Sequence, residues 1–117
     1  MVQLDPTKGS EQAGARPVIV VSRDSINRIA INDNPNRTLV MVCVPITDRE
    51  NLDRLYPCHV ELKKGVAGLE KHSVALCEQV RAIAPGQRLI RFMGRLSAHD
   101  MTRIEEGLRV TLALECE

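Results

Sequence analysis

The stretch that decides the fold is Thr38-Leu-Val-Met-Val-Cys-Val-Pro-Ile46, which holds the longest uninterrupted apolar run of the chain, from Leu39 to Ile46. A second such run covers residues 16 to 22, Arg-Pro-Val-Ile-Val-Val-Ser. Continuous apolar and β-branched runs are typical of strands that are buried on both faces or lie at the centre of a small barrel. The two runs therefore predict the central strands of one sheet.

Three shorter segments predict further strands. Residues 58 to 62 and residues 89 to 96 alternate between apolar and polar side chains, as half-buried strands do. Residues 73 to 83 also read as one strand, but Glu78 falls on the same face as the apolar residues Val74 and Leu76. A bulge in this strand, or a buried carboxylate with a partner, would resolve the conflict.

The end of the chain predicts one helix. Ser97-Ala-His-Asp100 matches a capping box, and apolar residues then recur at helical spacing from Met101 to Leu112. We expect this helix to run from about 98 to 113. The Asn/Asp/Pro cluster Asn32-Asp-Asn-Pro-Asn36, between Ser25 and Arg37, and the segment from Lys63 to Gly68 are expected to be loops.

Several short strands followed by one helix indicate a mainly β protein with a C-terminal helix, of the α+β class. We expect a small antiparallel barrel or curled sheet with the helix packed on one side. At 117 residues the chain fits a single domain, 1–117.

Composition excludes several kinds of protein. The longest apolar run is far shorter than the roughly 18 to 20 residues that cross a bilayer, and the N-terminus lacks a secretory pattern, so we expect a cytoplasmic protein without membrane contact. Sixteen basic and fifteen acidic residues give a net charge of +1, and Tyr56 and Phe92 are the only aromatic residues. This excludes a strongly basic, base-stacking surface. If the partner is RNA, a local groove must recognise it through hydrogen bonds.

The cysteines do not predict a metal site. Cys43, Cys58, Cys77 and Cys116 contain no Cys-x-x-Cys pair, and no histidine follows at zinc-finger spacing. We expect no metal, and we expect these residues to be small hydrophobic side chains in a reducing compartment.

A polar loop is the strongest sign of a functional site. Residues 4 to 17, Leu-Asp-Pro-Thr-Lys-Gly-Ser-Glu-Gln-Ala-Gly-Ala-Arg-Pro, lead directly into a buried strand. Mixed donors and acceptors on an anchored edge are typical of a site for a small polar substrate. Arg16 offers a planar fork suited to phosphate oxygens, although an ion pair with Glu11 or Glu78 is the simpler alternative.

Thr47 is the second candidate residue, because its hydroxyl lies where the central strand leaves the core and can donate to an anionic group. The ordinary alternative is that Thr47 ends the strand or caps the following turn. The histidines are weaker candidates for acid–base chemistry. We expect His59 to be structural, His72 to lie in a charged turn and His99 to lie in the helix cap.

In these motifs the chain resembles the MazF/PemK family of bacterial toxin endoribonucleases. The resemblance rests on Pro6-Thr-Lys-Gly-Ser-Glu-Gln12, on Arg16-Pro17 before an apolar strand, and on Pro45-Ile-Thr47. It continues through residues 56 to 62, 68 to 83 and 94 to 97. It implies an SH3-like or CcdB/PemK-like barrel, a homodimer with single-stranded RNA across its interface, and a small acidic MazE-like antitoxin whose disordered tail occupies the RNA groove.

The resemblance also implies residue roles. Arg16 and Thr47 would be catalytic, Ser10, Glu11 and Gln12 would line the RNA groove, and Gln79 would reach it from the fourth strand. Glu78 and Arg81 would be structural supports. The implied reaction is a transesterification that needs no metal or cofactor, cleaves at a short RNA sequence, and leaves a 2′,3′-cyclic phosphate and a 5′-hydroxyl.

The chain departs from the family at its N-terminus, because members usually place a basic residue and Gly-Asp-Ile/Val before the Leu-Asp-Pro loop. Most of the first strand is therefore expected to be missing, which would leave an exposed edge. Two other functions stay open: a CcdB-like poison that binds gyrase through the C-terminal helix, and an inactive module that binds an antitoxin.

Overall fold

The computed structural model describes residues 2–4, 16–34, 39–83 and 89–114, and the side chains of all of these except 2–4, 16 and 89–92. Seven strands are β1 Val2–Leu4, β2 Arg16–Val20, β3 Met41–Asp48, β4 His59–Leu62, β5 Ser73–Leu76, β6 Arg81–Ile83 and β7 Leu89–Phe92. Two α-helices are α1 Asp24–Asn32 and α2 Ala98–Leu112. Three short 3-10 turns are Arg49–Asn51, Val66–Gly68 and Cys77–Gln79.

The strands form one antiparallel sheet in the order β4-β5-β3-β2-β1-β7, with β6 also pairing with β3. The prediction of an antiparallel sheet with a C-terminal helix is confirmed. The sheet is not closed into a barrel, because the outer strands β4 and β7 do not pair with each other in the part of the chain that the structure describes. β1 lies between β2 and β7 and pairs with both, so these few residues still form a strand with two neighbours.

β3 is the central strand, and its two faces belong to different cores. Val44 and Ile46 join the main core, which β4, β5 and α2 complete with residues such as Ile104. Met41 and Cys43 join a second cluster, where Ala30 of α1 covers the sheet. Burial on both faces is the reason why this stretch is continuously apolar rather than alternating, as the sequence predicts.

The predicted strand over residues 73 to 83 is interrupted. Ala75 pairs with Ile46 and Arg81 pairs with Cys43, so β3 advances three residues while the facing strand advances six. The 3-10 turn Cys77–Gln79 takes up the extra residues. In a continuous strand Glu78 would fall on the apolar face, and the turn removes this conflict. It places Glu78 in an exposed position.

The helix predictions had different outcomes. α2 is confirmed within one residue, and Ser97 Oγ accepts a hydrogen bond from the Asp100 amide at 3.1 Å as expected of its cap. The sequence did not predict α1, which ends at Asn32, the first residue of the expected loop. Asp33 and Asn34 lie beyond the helix, and residues 35 and 36 of that loop lie outside the described residues. No helix in the described ranges is long and apolar enough to cross a bilayer.

Ser22 explains why α1 begins where it does. Its Oγ accepts a hydrogen bond from the Val42 amide at 3.0 Å and is bonded to Oδ1 of Asn27, while Asn27 Nδ2 donates to the Ser22 carbonyl oxygen at 2.9 Å. The first turn of the helix is therefore bonded to the central strand. A local pattern of breakers cannot reveal such a long-range contact.

Candidate functional site

The two predicted catalytic positions lie on neighbouring strands. β2 and β3 pair with Val18 opposite Pro45. Continuing this antiparallel register by two residues, within the bounds of both strands, brings position 16 opposite position 47. The recorded pairs of these strands end at Val18 and Pro45, and because the strands are antiparallel, Arg16 and Thr47 lie beyond them at the same end of the β2–β3 pair.

These positions belong to one row across the sheet. Arg16 is also opposite Leu4 of β1, while on the other side Thr47 is opposite Val74 of β5, which is opposite Glu61 of β4. Leu4 and Arg16, which pair with each other, directly flank the segment 5–15. That segment contains Ser10, Glu11 and Gln12. These three predicted RNA-binding residues themselves lie outside the described residues.

Thr47 is half-buried, and its hydroxyl has a defined neighbour. Asn51 Nδ2 donates to Thr47 Oγ1 at 3.0 Å. Asn51 belongs to the 3-10 turn Arg49–Asn51 that follows β3 directly. The structure therefore agrees with the sequence that Thr47 stands where the strand leaves the core, and it shows that the following turn folds back onto its side chain.

Three charged side chains next to Thr47 form one ion-paired group. Lys71 Nζ lies 3.6 Å from Asp48 Oδ2 and 3.3 Å from Glu50 Oε1. The hydrogen bond to Glu50 is the main reason why the pKa of Lys71 is raised. One lysine offsets two carboxylates only in part, so this group keeps a net negative charge, and the lysine weakens the repulsion of a phosphate without removing it.

Gln79 is exposed at the end of the turn Cys77–Gln79, not on a strand as predicted. The turn lies along β3 between the pairs that Ile46 and Cys43 make, and Thr47 is the residue next to Ile46. Gln79 is therefore placed beside β3 by a turn rather than by a strand, on the side of Ile46 away from Thr47.

His59 holds this turn in place. Its side chain is 6% exposed, and its Nε2 lies 3.2 Å from Oε2 of Glu78, whose side chain is 39% exposed. The Tyr56 amide donates to His59 Nδ1 at 3.1 Å. Since Nδ1 accepts, a neutral His59 carries its proton on Nε2 and donates it to Glu78. His59 is structural as predicted, and Glu78, one of the two partners considered for Arg16, is bonded to His59.

Cys58, His59 and Glu78 form a group that the sequence did not predict. One potential ligand atom from each lies within 4.8 Å of the others. However, a histidine that binds a metal through Nε2 normally donates its other nitrogen's hydrogen, whereas Nδ1 here accepts from a backbone amide. Burial and the neighbouring Glu78 also raise the pKa of the Cys58 thiol, which disfavours the thiolate that a metal needs. The arrangement is that of a hydrogen-bonded group rather than a ligand set.

The other two described cysteines, Cys43 and Cys77, have thiols of low reactivity. Burial raises the pKa of the Cys43 and Cys77 thiols to about 11. Both are buried and free, and Cys77 Sγ donates to the Ile104 carbonyl oxygen at 3.8 Å. They behave as the small hydrophobic residues that the sequence predicts.

A cleft of about 350 Å³ lies where the row ends, between β4 and the start of α2. Charged side chains line it in pairs: His72 Nε2 lies 2.8 Å from Glu61 Oε2, and Arg103 Nη1 lies 3.3 Å from Asp100 Oδ1. These four side chains already have partners, while Lys63 lines the cleft as well. The lining contains neither of the two positions that the sequence predicts to be catalytic.

Sequence reasoning missed two features of this region: the Asn51 side chain beside Thr47 and the contact of His59 with Glu78. Asn51 follows Thr47 by four residues, which is the spacing of contact in a helical turn, and that signal was available. His59 and Glu78 lie on different elements, and only the three-residue turn between β5 and β6 brings them together.

Known proteins resemble this chain in sequence and in fold. Residues 1–112 match the family described as PemK-like, MazF-like toxin of type II toxin-antitoxin system. Over 113 residues the chain is 38% identical to endoribonuclease MazF9 of Mycobacterium tuberculosis (strain ATCC 25618 / H37Rv), which covers 97% of this chain and 91% of the relative.

Solved structures share the fold. Mycobacterium tuberculosis toxin MazF-mt6 superimposes with a TM-score of 0.72 at 22% identity and covers 98% of both chains. An endoribonuclease from Mycobacterial species in complex with its cognate antitoxin gives a TM-score of 0.70 at 19% identity, with 98% of this chain and 95% of that chain covered.

Proposed function

The chain belongs to the PemK-like, MazF-like toxin family of type II toxin–antitoxin systems, and we propose that it is a toxin endoribonuclease that cleaves single-stranded RNA at a short sequence without the ribosome. The observation that carries the proposal is the 38% identity to an endoribonuclease over 97% of the chain. The antiparallel pairing of β2 and β3 supports it, because the register, continued by two residues, places the two positions that we propose to bind the phosphate in one row of the sheet.

The proposed reaction is an attack of the RNA 2′-hydroxyl oxygen on the adjacent phosphorus. The 2′-hydroxyl gives up its proton to water as the new P–O bond closes a 2′,3′-cyclic phosphate; the P–O5′ bond breaks, and the leaving oxygen takes a proton from water to become a 5′-hydroxyl. Negative charge builds on the non-bridging phosphate oxygens in the transition state. Groups that are placed in advance to stabilise this charge supply most of the catalysis, so no cofactor is required.

Arg16 and Thr47 are the catalytic residues in this proposal. The guanidinium of Arg16 offsets the developing charge; because a guanidinium stays protonated in proteins, it stabilises charge rather than acting as a base. Thr47 donates its hydroxyl hydrogen to the scissile phosphate. Ser10, Glu11, Gln12 and Gln79 contact the RNA on either side and contribute to the choice of sequence.

The proposal includes partners. We expect a homodimer in the cytoplasm, with RNA crossing the dimer interface, and an acidic MazE-like antitoxin whose disordered tail competes for the same groove. A fold relative forms a complex with its cognate antitoxin, which supports the antitoxin part of the proposal.

The test is to incubate the purified protein with a long single-stranded RNA in EDTA and to map every new end. We expect cleavage at a recurring short motif with 5′-hydroxyl ends. Removing a single preorganised donor costs on the order of a hundred- to a thousandfold in rate, so Arg16→Ala should lose at least about a hundredfold. Arg28→Ala, on the exposed side of α1, is the matched control and should cleave normally.

The alternatives give other results. Intact RNA with a folded protein would reject the ribonuclease function and leave the gyrase poison and the inactive antitoxin-binding module, which differ in whether expression arrests growth. Cleavage that Arg16→Ala retains would instead reject the assignment of Arg16.

A further inference from the structure

The hydrogen bond between Asn51 and Thr47 has a defined direction. Asn51 Nδ2 is a donor only, so Thr47 Oγ1 accepts at 3.0 Å. A hydroxyl carries one hydrogen and two lone pairs. Once a lone pair is engaged by Asn51, the hydroxyl hydrogen is directed away from Asn51 and is available to another acceptor. A hydroxyl that accepts one hydrogen bond is also a better donor in a second.

The turn that carries Asn51 is fixed from several sides. The Arg49 amide donates to the carbonyl oxygen of His72 at 2.9 Å. This bond ties the start of the turn to the residue directly before β5. The Leu52 amide donates to the Arg49 carbonyl oxygen at 3.1 Å, and Arg49 Nη1 donates to the Leu52 carbonyl oxygen at 2.8 Å. The exposed Asn51 side chain therefore stands on a closed and anchored backbone.

From this geometry we propose that Asn51 is a positioning residue for the reaction: by donating to Thr47 Oγ1 it directs the Thr47 hydroxyl hydrogen toward the scissile phosphate. This rests on the proposed function, in which Thr47 donates to that phosphate. In this proposal Asn51 does not contact the RNA. Its effect passes entirely through Thr47, and this distinguishes it from a groove residue.

The experiment is a double-mutant cycle measured by single-turnover RNA cleavage with Asn51→Ala, Thr47→Val and the pair together. Loss of one neutral hydrogen bond should slow cleavage by Asn51→Ala about three- to tenfold. The RNA concentration that gives half the maximal rate should change less than about twofold, because RNA contacts remain. In the Thr47→Val background Asn51→Ala should have almost no effect, within about twofold.

Two further variants sharpen the test. Asn51→Asp keeps the shape of the side chain but its carboxylate can only accept, so it takes the Thr47 hydrogen and should cleave more slowly than Asn51→Ala. Asn32→Ala, at the exposed end of α1, is the matched control and should cleave at the wild-type rate. Circular dichroism confirms that each variant is folded.

The outcomes separate the two proposals. An active wild-type protein with an equally active Asn51→Ala would overturn the positioning role alone, as would an equal loss in the Thr47→Val background. Faster cleavage by Asn51→Asp than by Asn51→Ala would also overturn it. Intact RNA with the wild-type protein would overturn the proposed function, and the positioning role with it.

Discussion

His59 and Glu78 form a polar contact between β4 and the turn Cys77–Gln79. This contact holds the turn that presents Gln79. Partial burial raises the pKa of Glu78, but the hydrogen bonds from His59, from the Glu78 backbone amide and from Cys58, together with the charge interaction with His59, outweigh burial, so the pKa lies below the usual value of 4.5. A carboxyl with a lowered pKa stabilises the fold above the pKa of the unfolded chain. That contribution is lost as the pH falls through the pKa of the folded state.

Glu78→Gln should therefore lower the free energy of unfolding at pH 7 and lose this effect in acid. Because the Glu78 side chain is 39% exposed, solvent screening limits the loss to about 0.5–1 kcal/mol. Urea unfolding of both proteins at pH 7, 5 and 3.5 measures it. The difference should be full at pH 7 and should disappear below the lowered pKa of Glu78.

The control for this prediction is Glu106→Gln, since Glu106 is bonded to Arg109 at 2.8 Å on the exposed face of α2 with its side chain 64% exposed. An exposed pair at this helical spacing should contribute only about 0.3–0.5 kcal/mol. A difference for Glu78→Gln that stays constant from pH 7 to 3.5 would contradict the role given to its charge.

Helix α2 packs against the turn Cys77–Gln79 with almost no space between them. A Cβ added at Gly107 would lie 2.7 Å from Cys77 Sγ and 3.1 Å from the Cys58 carbonyl oxygen. Within a free helix Gly→Ala gains about 1 kcal/mol, but overpacking typically costs 1–3 kcal/mol. We expect Gly107→Ala to unfold at lower denaturant, with a net loss of about 1–2 kcal/mol.

Cys77→Ala provides the test of this mechanism, because it removes the sulfur that the new methyl group would meet. The double variant should lose less stability than the sum of the two single variants, by at least about 0.5 kcal/mol. Strict additivity would show that the clash lies elsewhere. A gain in stability from Gly107→Ala alone would show that the helix has room at this position.

Some of the strands and helices could be predicted from the sequence, and others could not. The strands around Val44 and the helix after Ser97 were predictable because burial on two faces and a capping box are local patterns. The break in the strand near Glu78 was predictable only as a conflict, since its form depends on the register against β3. α1 was missed because Ser22 and Asn27 bond the first turn of the helix to the central strand, which is a tertiary contact.

The same distinction applies to the candidate site. Arg16 and Thr47 were identifiable from residue type and position, and from resemblance to a family. That they occupy one row follows from the β2–β3 register, which no single segment encodes. The predicted roles of Ser10, Glu11, Gln12 and Gln79 stay predictions, although Gln79 is exposed on the turn beside β3.

Across the whole molecule, β1 connects two parts of the sheet. β7 has β1 as its only strand partner in the part of the chain that the structure describes, and β1 also pairs with β2. The row that carries Arg16 includes Leu4, which also pairs with Leu89 of β7. Removing residues 1–4 would therefore detach β7 and leave the edge of β2 beside Arg16 unpaired, which affects the fold and the site together.

We expect a variant that lacks residues 1–4 to lose about 2–4 kcal/mol of stability, since each lost backbone hydrogen bond contributes roughly 0.5–1.5 kcal/mol. Thermal unfolding measures the loss, and hydrogen exchange should show faster exchange at Leu89–Phe92 and at Arg16–Val20. The control lacks residues 114–117, beyond the end of α2, and should retain protection in both strands. Unchanged protection of Leu89–Phe92 without residues 1–4 would mean that β7 is held by contacts other than β1, and the sheet would then not depend on this short strand.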